Sequence, residues 1–434
     1  AIIAQSIGGG GGIGGDLSAA TLDASYINSD QAGVSGDGGV VDVTVGGAIQ
    51  TQGDNAYGVI AQSIGGRGGL WGNDGVLHAG SVGGADGNSS TVNVTANANI
   101  TSAGENSIGI FAQSMAPDTS ETVTVTVNKT VTGGSGAGSG VFVSQGANNV
   151  VNVNSGGAIL AGGSADDGDQ GYAVEYNATY DREYGAWLTV NNQGTISGDT
   201  YLVAADQSQT IANSAAQART AATSAAMLAT NERIAGRVVN FKEGHWTLGD
   251  TSVGHVLNAG TITTARGTPG RSVPLLGSFR QKANGILEIA ADFDGGTADR
   301  LEFLGDVTLA GKLRIAASGI SPGTSHSVLS FGGNVTGGFD VVDSAAVDYQ
   351  LDMIGNEAVV SINGTRFGSA YASLNSNQQS VGDHLDRIYD SGAVGYAEVL
   401  ADLDGLSALD NGEATYAAAL GSFTPGSALA AAAT

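Results

Sequence analysis

Short segments of alternating apolar and polar residues recur through the first half of the chain. Five of them begin with an apolar-x-apolar pair and end on another β-branched residue: VDVTVGGAI (41–49), VNVTANANI (92–100), VTVTVNKTV (123–131), VNVNSGGAI (151–159) and LTVNNQGTI (188–196). A shorter echo, VLNAGTI, lies at 256–262. Such alternation predicts β-strands with one buried face. In the first segment, Val41, Val43 and Val45 are expected to face a core. Asp42 and Thr44 are expected to face away from it.

A second strand is predicted downstream of each segment, after a turn rich in Gly, Asn and Ser. The residues that mark it come ten positions later in three units and three positions further on in the fourth: Ile49 to Val59, Ile100 to Ile110, Val131 to Val141, and Ile159 to Tyr172. Around these strands the phrase AQS recurs at 4–6, 61–63 and 112–114, twice followed by a Gly-rich loop. Self-similarity of this kind indicates a repeat architecture.

The repeats predict an all-β fold, a right-handed parallel β-helix, over residues 1–205. The segments keep their length while the spacing between them varies, so the insertions are expected to lie in loops. One unit cannot bury its own apolar face, but units stacked about 4.8 Å apart share a continuous core. A propeller needs a more regular blade of about 40–50 residues. A collagen helix needs Gly at every third position, and a coiled coil needs heptads that residues 1–200 lack.

The pattern changes at residues 206–237, which are rich in Ala, Gln and Arg and almost free of Gly. Their high helix propensity predicts a helical insertion. Alternation returns at Val238 and continues through 285–319, which is expected to form four strands. The last sixty residues change again, because Val381, Leu385 and Ile388 recur at helical spacing.

The run at 285–319 resembles a known family. Its phrase G-x-L-x-I-x-x-D-F-D-G-G-x-x-D-R-L-x-x-x-G-x-x-x-L-x-G-x-L is similar to the C-terminal β-helix cap, the autochaperone region, of pertactin-like autotransporter passengers. The match rests on Gly285, Leu287, Asp292, Asp294, Gly295, Gly296, Asp299, Arg300, Leu301, Gly305, Leu309, Gly311 and Leu313. The AQSIGG repeats also resemble those of the giant Gly-rich passengers of proteobacteria.

The resemblance implies a domain order and a route of secretion. Residues 238–368 would form the β cap that templates folding, and 369–434 would be a helical linker before an outer-membrane β-barrel translocator. No barrel-like strands follow Phe423, so that partner is expected to lie outside this chain. The chain opens inside a repeat, at AIIAQSIGG, and is expected to be a fragment or a processed product.

Composition narrows the classes of function. The chain has 71 Gly, 5 Pro and no Cys, yet it is 41% hydrophobic, which suits many turns between short strands and a buried core. The net charge of −25 makes nucleic acid an unlikely partner, because a phosphate-binding surface needs clustered Lys and Arg. The absence of Cys excludes disulfides, thiolate zinc sites and Cys nucleophiles, and it suits passage through an oxidising periplasm.

An enzyme on a β-helix is the alternative reading, as a polysaccharide lyase or glycosidase. Glycosidases need two carboxylates on one groove, and the chain offers the pairs Asp166–Asp167 and Asp292–Asp294. A sequence with 41 acidic residues produces such pairs by chance, and the 16 basic residues are too few for a typical lyase site. No Gly-Asp-Ser-Gly phrase marks a serine protease. The prediction is that the chain has no catalytic residues.

Ligand signals are weak. The five His show no metal-ligand spacing, and His245 and His255 are interpreted as structural. The stretch Gly11–Asp16 begins like a calcium nonapeptide, but it does not repeat. Glycosylation triplets at Asn93 and Asn128 follow from Thr-rich strands. Trp71, after a Gly-rich loop, is the candidate for ligand contact. No metal and no cofactor are predicted.

These inferences converge on a secreted or surface-attached passenger that reaches the outside through the periplasm. It would act as an extracellular stalk or adhesin, and its cap would nucleate folding during translocation. Its expected partners are its own translocator and a host-cell or matrix receptor, or further copies of itself.

Overall fold

The computed structural model describes residues 1–8, 12–16, 36–66, 68–73, 76–81, 87–116, 120–163, 170–180, 187–206, 232–234, 236–265, 267–341, 344–392, 395–409 and 411–423. Two compact units are present. The N-terminal unit comprises Ala1–Thr261 and Pro274–Phe279, and the C-terminal unit comprises Ile262–Val273 and Arg280–Thr434. Strands make up 51% of the structure and helices 12%, so the predicted all-β class is confirmed.

The first eighteen strands are β1 Ile2–Ile7, β2 Gly12–Asp16, β3 Val41–Val45, β4 Ile49–Thr51, β5 Tyr57–Ile64, β6 Gly68–Asn73, β7 Val76–Ser81, β8 Val92–Ala96, β9 Ile100–Ser102, β10 Ile108–Met115, β11 Val123–Val127, β12 Thr130–Thr132, β13 Ser139–Gln145, β14 Asn149–Val153, β15 Ala158–Leu160, β16 Tyr172–Tyr180, β17 Leu188–Asn192 and β18 Thr195–Asp206.

The remaining strands are β19 Glu232–Ile234, β20 Gly236–Asn240, β21 His245–Ser252, β22 His255–Asn258, β23 Thr261–Thr263, β24 Ser272–Leu275, β25 Ser278–Gln281, β26 Ile286–Asp292, β27 Thr297–Ala298, β28 Arg300–Phe303, β29 Val307–Leu309, β30 Lys312–Gly319, β31 Ser325–Phe331, β32 Val335–Gly337, β33 Asp340–Val341, β34 Val347–Ile354 and β35 Glu357–Thr365. The helices are a 3-10 turn at Phe367–Ser369, α1 Ser376–Asp390, α2 Ala397–Ser407 and α3 Glu413–Ser422.

The N-terminal unit is a parallel β-helix built from three ladders. Ladder A joins β3, β8, β11, β14, β17, β20 and β22 in parallel. Ladder B joins β4, β9, β12, β15, the first residues of β18, and β21. Ladder C joins β1, β5, β10, β13, β16 and the end of β18. Each coil passes from A to B to C, as β3, β4 and β5 do in the first one.

The predicted strand faces are confirmed. In β3 the residues alternate between buried and exposed, with Val41, Val43 and Val45 inside and Asp42 and Thr44 outside. The inward column of ladder A continues across neighbouring strands at the same parity. Because side chains alternate with a period of two, the apolar positions of the sequence alone decide which face is buried.

The register differs from the sequence alignment in the fourth unit. Val151 was expected opposite Val123, but it pairs with Val125, and Asn149 takes the place opposite Leu188. The shift is two residues, so it leaves the inward parity unchanged. Asn149 is buried, and its side chain accepts from the Val123 N–H at 2.9 Å. An inward Asn whose side-chain amide is hydrogen-bonded therefore occupies the position at which the alignment predicted an apolar residue.

The second predicted strand is ladder C. Val59, Ile110 and Val141 lie in register, as the spacing predicts. In the fourth unit the equivalent residue is Val174, and Tyr172 pairs instead with Ser139. The expected equivalence of Tyr172 is wrong by two residues, since the loop before β16 absorbs the additional length. The AQS phrases also stack, with Gln5 opposite Gln62 and Gln62 opposite Gln113.

Three glycines form a column where ladder C begins. A Cβ atom on Gly58 would lie 2.6 Å from the carbonyl oxygen of Gly109, and one on Gly109 would lie 2.6 Å from that of Gly140. The same Cβ positions would also meet branched side chains of ladder B, 2.7 Å from Val131 Cγ1 in the case of Gly109. Only glycine therefore allows ladders B and C to approach this closely.

A row of buried asparagines, the asparagine ladder, lies at the C-terminal ends of three neighbouring strands of ladder A. Asn192 Nδ2 donates to Asn240 Oδ1 at 2.8 Å, and Asn240 Nδ2 donates to Asn258 Oδ1 at 2.9 Å. The same Asn240 amide donates to the carbonyl oxygen of Thr261. All three side chains are fully buried. Their polar groups are satisfied by one another, which is the condition for placing them in a core.

The predicted insertion at 206–237 falls mostly on residues 207–231, which lie outside the described residues. Its last part is not helical, because Glu232–Ile234 is strand β19 and Gly236 begins β20. In β20, Val238 pairs with Val190 of β17, so the chain has rejoined ladder A before the predicted boundary. The apolar contact with the preceding coil outweighs local helix propensity.

The C-terminal unit continues the parallel arrangement and then changes direction. Strand β26 pairs in parallel with β30, and β30 with β33. Strand β28 pairs in parallel with β31. The other side of β31 pairs antiparallel with β35, which forms a hairpin with β34. Five strands, β26 to β30, occupy the run where four were expected.

The helices at the end of the chain confirm the helical prediction and belong to the same unit. Helix α2 packs on β30, and the Ile320 N–H donates to the Ala397 carbonyl oxygen at 3.1 Å. In α1 the predicted Leu385 is buried, together with Gly382 and Tyr389, whereas Val381 and Ile388 are half-buried. Helix α2 therefore packs on a strand of the C-terminal unit.

Candidate functional site

The matched phrase lies in the C-terminal unit, and it includes a tight hairpin between β26 and β27. Asp292 Oδ1 accepts from the backbone N–H groups of Asp294 and Gly295 at 3.0 and 2.8 Å. Gly296 has φ +72°, which favours glycine. The Asp292–Asp294 pair is therefore a turn in which one carboxylate holds the backbone.

Asp299, the next acidic residue of the phrase, binds a neighbouring segment of the chain. Its side chain is fully buried, and Oδ1 accepts from the N–H groups of Gly270 and Arg271 at 3.0 and 2.9 Å. Its own N–H donates to the Ala290 carbonyl oxygen. The following residue, Arg300, donates its N–H to the Arg271 carbonyl oxygen at 2.8 Å. One buried carboxylate thus fastens β27 and β28 to the segment before β24.

The glycines and leucines of the phrase set the distance between coils. Gly311 has φ +64°, and a Cβ there would lie 2.5 Å from the carbonyl oxygen of Gly285. A Cβ on Gly333 would lie 2.5 Å from the carbonyl carbon of Gly305. The leucines all face the core: Leu287, Leu301, Leu309 and Leu313 are buried. These residues set the packing within the C-terminal unit.

Two ion pairs link strands on the surface of the C-terminal unit. Arg300 Nη2 lies 2.7 Å from Glu357 Oε1 on β35, and Arg314 Nη1 lies 3.4 Å from Glu288 Oε2 on β26. The side chains of the first pair are about a third exposed, so each pair contributes at most about 1 kcal/mol. The first pair spans β31, which lies between β28 and β35, and the second joins the paired strands β26 and β30.

A second carboxylate, that of Asp386, binds the helical end of the C-terminal unit. Asp386 of α1 accepts from Thr365 Oγ1 and from the N–H groups of Phe367 and Gly368. Helix α1 and the 3-10 turn can approach closely because each has a glycine, Gly382 and Gly368, at the point where they cross. A Cβ on Gly382 would lie 2.3 Å from the Gly368 nitrogen.

A third carboxylate, Asp404 of α2, is buried between the helices and β34. Tyr349 Oη donates to Asp404 Oδ2 at 2.6 Å, while Asp404 Oδ1 has no hydrogen-bond partner among the described residues. Burial raises the pKa of Asp404 to about 6, although Ser344, Tyr349 and Arg366 act in the opposite direction. No motif in the sequence predicts that Tyr349 and Asp404 form a pair, because the two residues are far apart in the chain.

We expect the stability of the C-terminal unit to fall as the pH rises from about 4 to about 6. The folded pKa of Asp404 lies above its unfolded value of about 3.9, so the folded chain holds the proton more tightly. The stabilisation is complete below pH 4 and is lost as the carboxyl ionises. The loss amounts to about 2–3 kcal/mol. Asp404→Asn should remove this slope and stabilise the unit at pH 7.5 in urea unfolding.

Asp402 provides the matched control, because it lies on the same helix and is exposed. Asp402→Asn should retain the pH dependence of the natural chain. An unchanged slope in Asp404→Asn would contradict the assignment to Asp404.

The remaining sequence candidates do not form a site in the described structure. Trp71 lies in β6, paired with His78 of β7, and its side chain lies outside the described residues. Asp166 and Asp167 also lie outside them. In the calcium-like stretch, Gly11 lies outside the described residues, and Gly12–Asp16 forms strand β2, whose side chains are not described.

The glycosylation triplets have another explanation. Asn93 Nδ2 donates to Asp42 Oδ1 at 2.8 Å, and Asn128 Nδ2 donates to Asn97 Oδ1 at 2.7 Å. Both asparagines belong to rows of hydrogen-bonded side chains on stacked coils. Within the described ranges, no three His, Cys, Asp or Glu side chains gather closely enough to hold a metal ion. No helix in the described part is both long and apolar enough to cross a membrane.

Comparison with known proteins adds little. No family model matches the chain, and no curated protein matches it. Among solved structures, it is similar to the crystal structure of the Haemophilus influenzae Hap adhesin, at 14% sequence identity and a TM-score of 0.29. The match covers 75% of this chain and 32% of that one, so the chain spans about a third of its length.

Proposed function

We propose that the chain is a non-catalytic, extracellular β-helix of the autotransporter passenger type, which adheres to surfaces and holds further modules away from the cell. The outward face of ladder A supports this most directly. Asn93 donates to Asp42, and Asn191 donates to Asn152 at 2.9 Å, so polar side chains bind one another from strand to strand. Such rows make a flat, ordered surface, which suits a large partner better than a small substrate held in a cleft.

A second part of the proposal concerns the cap. Asp299 joins two segments of the C-terminal unit through hydrogen bonds from its buried carboxylate, and the antiparallel β34–β35 hairpin covers one side of β31. A unit that closes on itself is a template on which preceding coils can stack in turn. Vectorial stacking outside the cell would then release free energy as the chain emerges from a translocator, without ATP.

The nucleation role predicts a kinetic effect of Asp299→Ala in the whole chain. The N–H groups of Gly270 and Arg271 lose their buried acceptor, so the cap forms less readily and refolding should slow on the order of ten-fold. The measurement is recovery of protease resistance in the N-terminal unit after dilution from urea. Val94→Ala, a buried substitution in β8, is the control, and it should mainly speed unfolding. Equal slowing by both variants would refute nucleation by the cap.

Adhesion and secretion are tested separately. The purified chain should bind saturably to surfaces coated with host matrix or to cells that display the same chain. Fused to an outer-membrane translocator, a chain without residues 285–319 should lose surface display or become protease-sensitive. Undiminished display and protease resistance would reject the autochaperone role, and the absence of saturable binding to any such surface would reject the adhesive one.

A further inference from the structure

One column of ladder A carries an unusual charge distribution for this acidic chain. Its outward residues, read from strand to strand, are Asp42, Asn93, Thr124, Val150, Thr189, Arg237 and His255. The neighbouring outward column is neutral throughout: Thr44, Thr95, Thr126, Asn152, Asn191, Val239 and Leu257. Basic residues therefore collect at one end of the face.

The acidic end is too far away to neutralise them. Asp42 lies five strands from Arg237, which at about 4.8 Å per strand is about 24 Å. The Debye length is about 8 Å at physiological ionic strength, so the charge of Asp42 is screened at Arg237. An anion at this end of the column meets Arg237, and the four strands that separate it from Asp42 carry no acidic residue in either outward column, although the chain carries a net charge of −25.

Arg237 is exposed and held in place without an acidic partner. Its Nε donates to Thr189 Oγ1 at 3.2 Å, and among the described residues it forms no ion pair. Anchoring at Nε leaves the two terminal nitrogens of the guanidinium for a planar anion. A carboxylate or a sulfate accepts from such a group in a bidentate manner.

His255 extends the patch by one strand. It is exposed, and its Nδ1 lies 2.6 Å from Ser278 Oγ. That contact orients the ring and leaves Nε2 without a hydrogen-bond partner in the described part of the chain. From Thr189 to Ser278 the patch offers a guanidinium, an imidazole and two hydroxyl groups on consecutive strands.

An aromatic ring borders these groups. Trp187 is half-buried just before β17, and its ring centroid lies 6.0 Å from that of His255, with 35° between the ring planes. The indole therefore reaches along the face beside Arg237. Aromatic faces next to polar groups are a common way to bind amphipathic ligands such as sugar rings, whose C–H faces pack on the ring.

We propose that Trp187, Thr189, Arg237, His255 and Ser278 form a binding site for an acidic polysaccharide. The carboxylate or sulfate of the polymer binds the Arg237 guanidinium, and its hydroxyl groups bind His255 and the hydroxyl side chains. A sugar ring packs on Trp187. This site rests on the adhesive function proposed above and names the class of its ligand.

The exposure of the site favours a polysaccharide over other anions. Arg237 and His255 are exposed on neighbouring strands, so a linear polymer can lie across the strand face. A nucleic acid would require many phosphate contacts, whereas this patch has one arginine and one histidine. One guanidinium group, two hydroxyl groups and one aromatic ring can together bind one acidic sugar and the sugars next to it in the polymer.

The test is titration of the whole purified chain with three defined oligosaccharides: hyaluronate, whose acid is a carboxylate, heparin, which adds sulfates, and neutral maltohexaose. We expect at least one acidic oligosaccharide to bind, more weakly as the salt concentration rises, and maltohexaose not to bind. Arg237→Ala should weaken binding by at least ten-fold, because a charge-assisted bidentate contact is lost. Arg237→Lys should recover only part of it, and Trp187→Ala should weaken it comparably.

Lys129→Ala is the control, since Lys129 is an exposed basic residue elsewhere in the same unit. It should leave the affinity unchanged. Equal binding of maltohexaose, tighter binding of a single-stranded oligonucleotide, or affinity that survives Arg237→Ala would overturn the proposal.

The same variants separate this site from the general adhesive function. Matrix adhesion that persists unchanged in Arg237→Ala, with no acidic oligosaccharide bound, rejects the site and leaves adhesion standing. Binding of an acidic oligosaccharide through Arg237, without adhesion to any matrix or cell surface, supports the site and rejects the adhesive function.

Discussion

Replacing Gly109 by valine should destabilise the N-terminal unit by at least about 3 kcal/mol, or prevent it from folding. The new Cβ would lie 2.6 Å from the carbonyl oxygen of Gly140 and 2.7 Å from Val131 Cγ1. The first of these atoms belongs to the backbone of β13, which cannot retreat without breaking its parallel pairing with β10. Close-packed interiors do not absorb an overlap of this size. Urea unfolding followed by far-ultraviolet circular dichroism measures the loss.

Gly47→Val is the matched control for this substitution. A Cβ at Gly47 meets nothing within 4 Å, so the same change of residue should alter the free energy of unfolding by less than about 1 kcal/mol. Comparable losses in the two variants would show that the glycine column does not limit the approach of ladders B and C.

Asn240→Leu should lower the free energy of unfolding by roughly 3–4 kcal/mol. Leucine is close to asparagine in size but cannot hydrogen-bond. Asn192 Nδ2 would lose one of its two acceptors, since it also donates to the His245 carbonyl oxygen. Asn258 Oδ1 and the Thr261 carbonyl oxygen would each lose the Asn240 donor. The asparagine side chains are fully buried, so water cannot replace the missing partner.

The outward asparagine row provides the control. Asn191 donates to Asn152, but it is only partly buried on the outer face of ladder A. Asn191→Leu should cost less than about 1 kcal/mol, because solvent hydrogen-bonds the partner that remains. If Asn240→Leu unfolds at the same urea concentration as Asn191→Leu, the buried ladder does not contribute as its geometry implies.

Some parts of this fold could be predicted from local pattern and others could not. The inward parity of β3 follows from the alternation of Val41, Val43 and Val45, because a strand has only two faces. The pairing of Val151 with Val125 could not be inferred in the same way. A shift of two residues leaves every inward residue inward, so the pattern alone does not distinguish the two registers. Packing and the Asn149 hydrogen bonds decide between them.

The candidate cap shows the same division. The phrase at 285–319 identified residues that the structure gathers in one unit, such as Asp292, Asp299 and Gly311. Their roles became visible only in three dimensions, since Asp299 binds backbone groups at 270 and 271. Asp404 carried no signal, because its shifted pKa arises from burial beneath residues distant in sequence. The same holds for Arg237 and His255, which alignment of the coils brings side by side.

By itself, the sequence determined that the chain stacks short parallel strands with Val and Ile inside and Thr and Asn outside. Repetition and alternation are local properties, and they are sufficient for the class of fold. The tertiary structure alone decided the register of the fourth coil, the docking of the C-terminal helices on the cap, and the position of the basic patch on ladder A. Each of these depends on residues that meet across coils, where close packing and buried hydrogen bonds select one arrangement among several that the pattern allows.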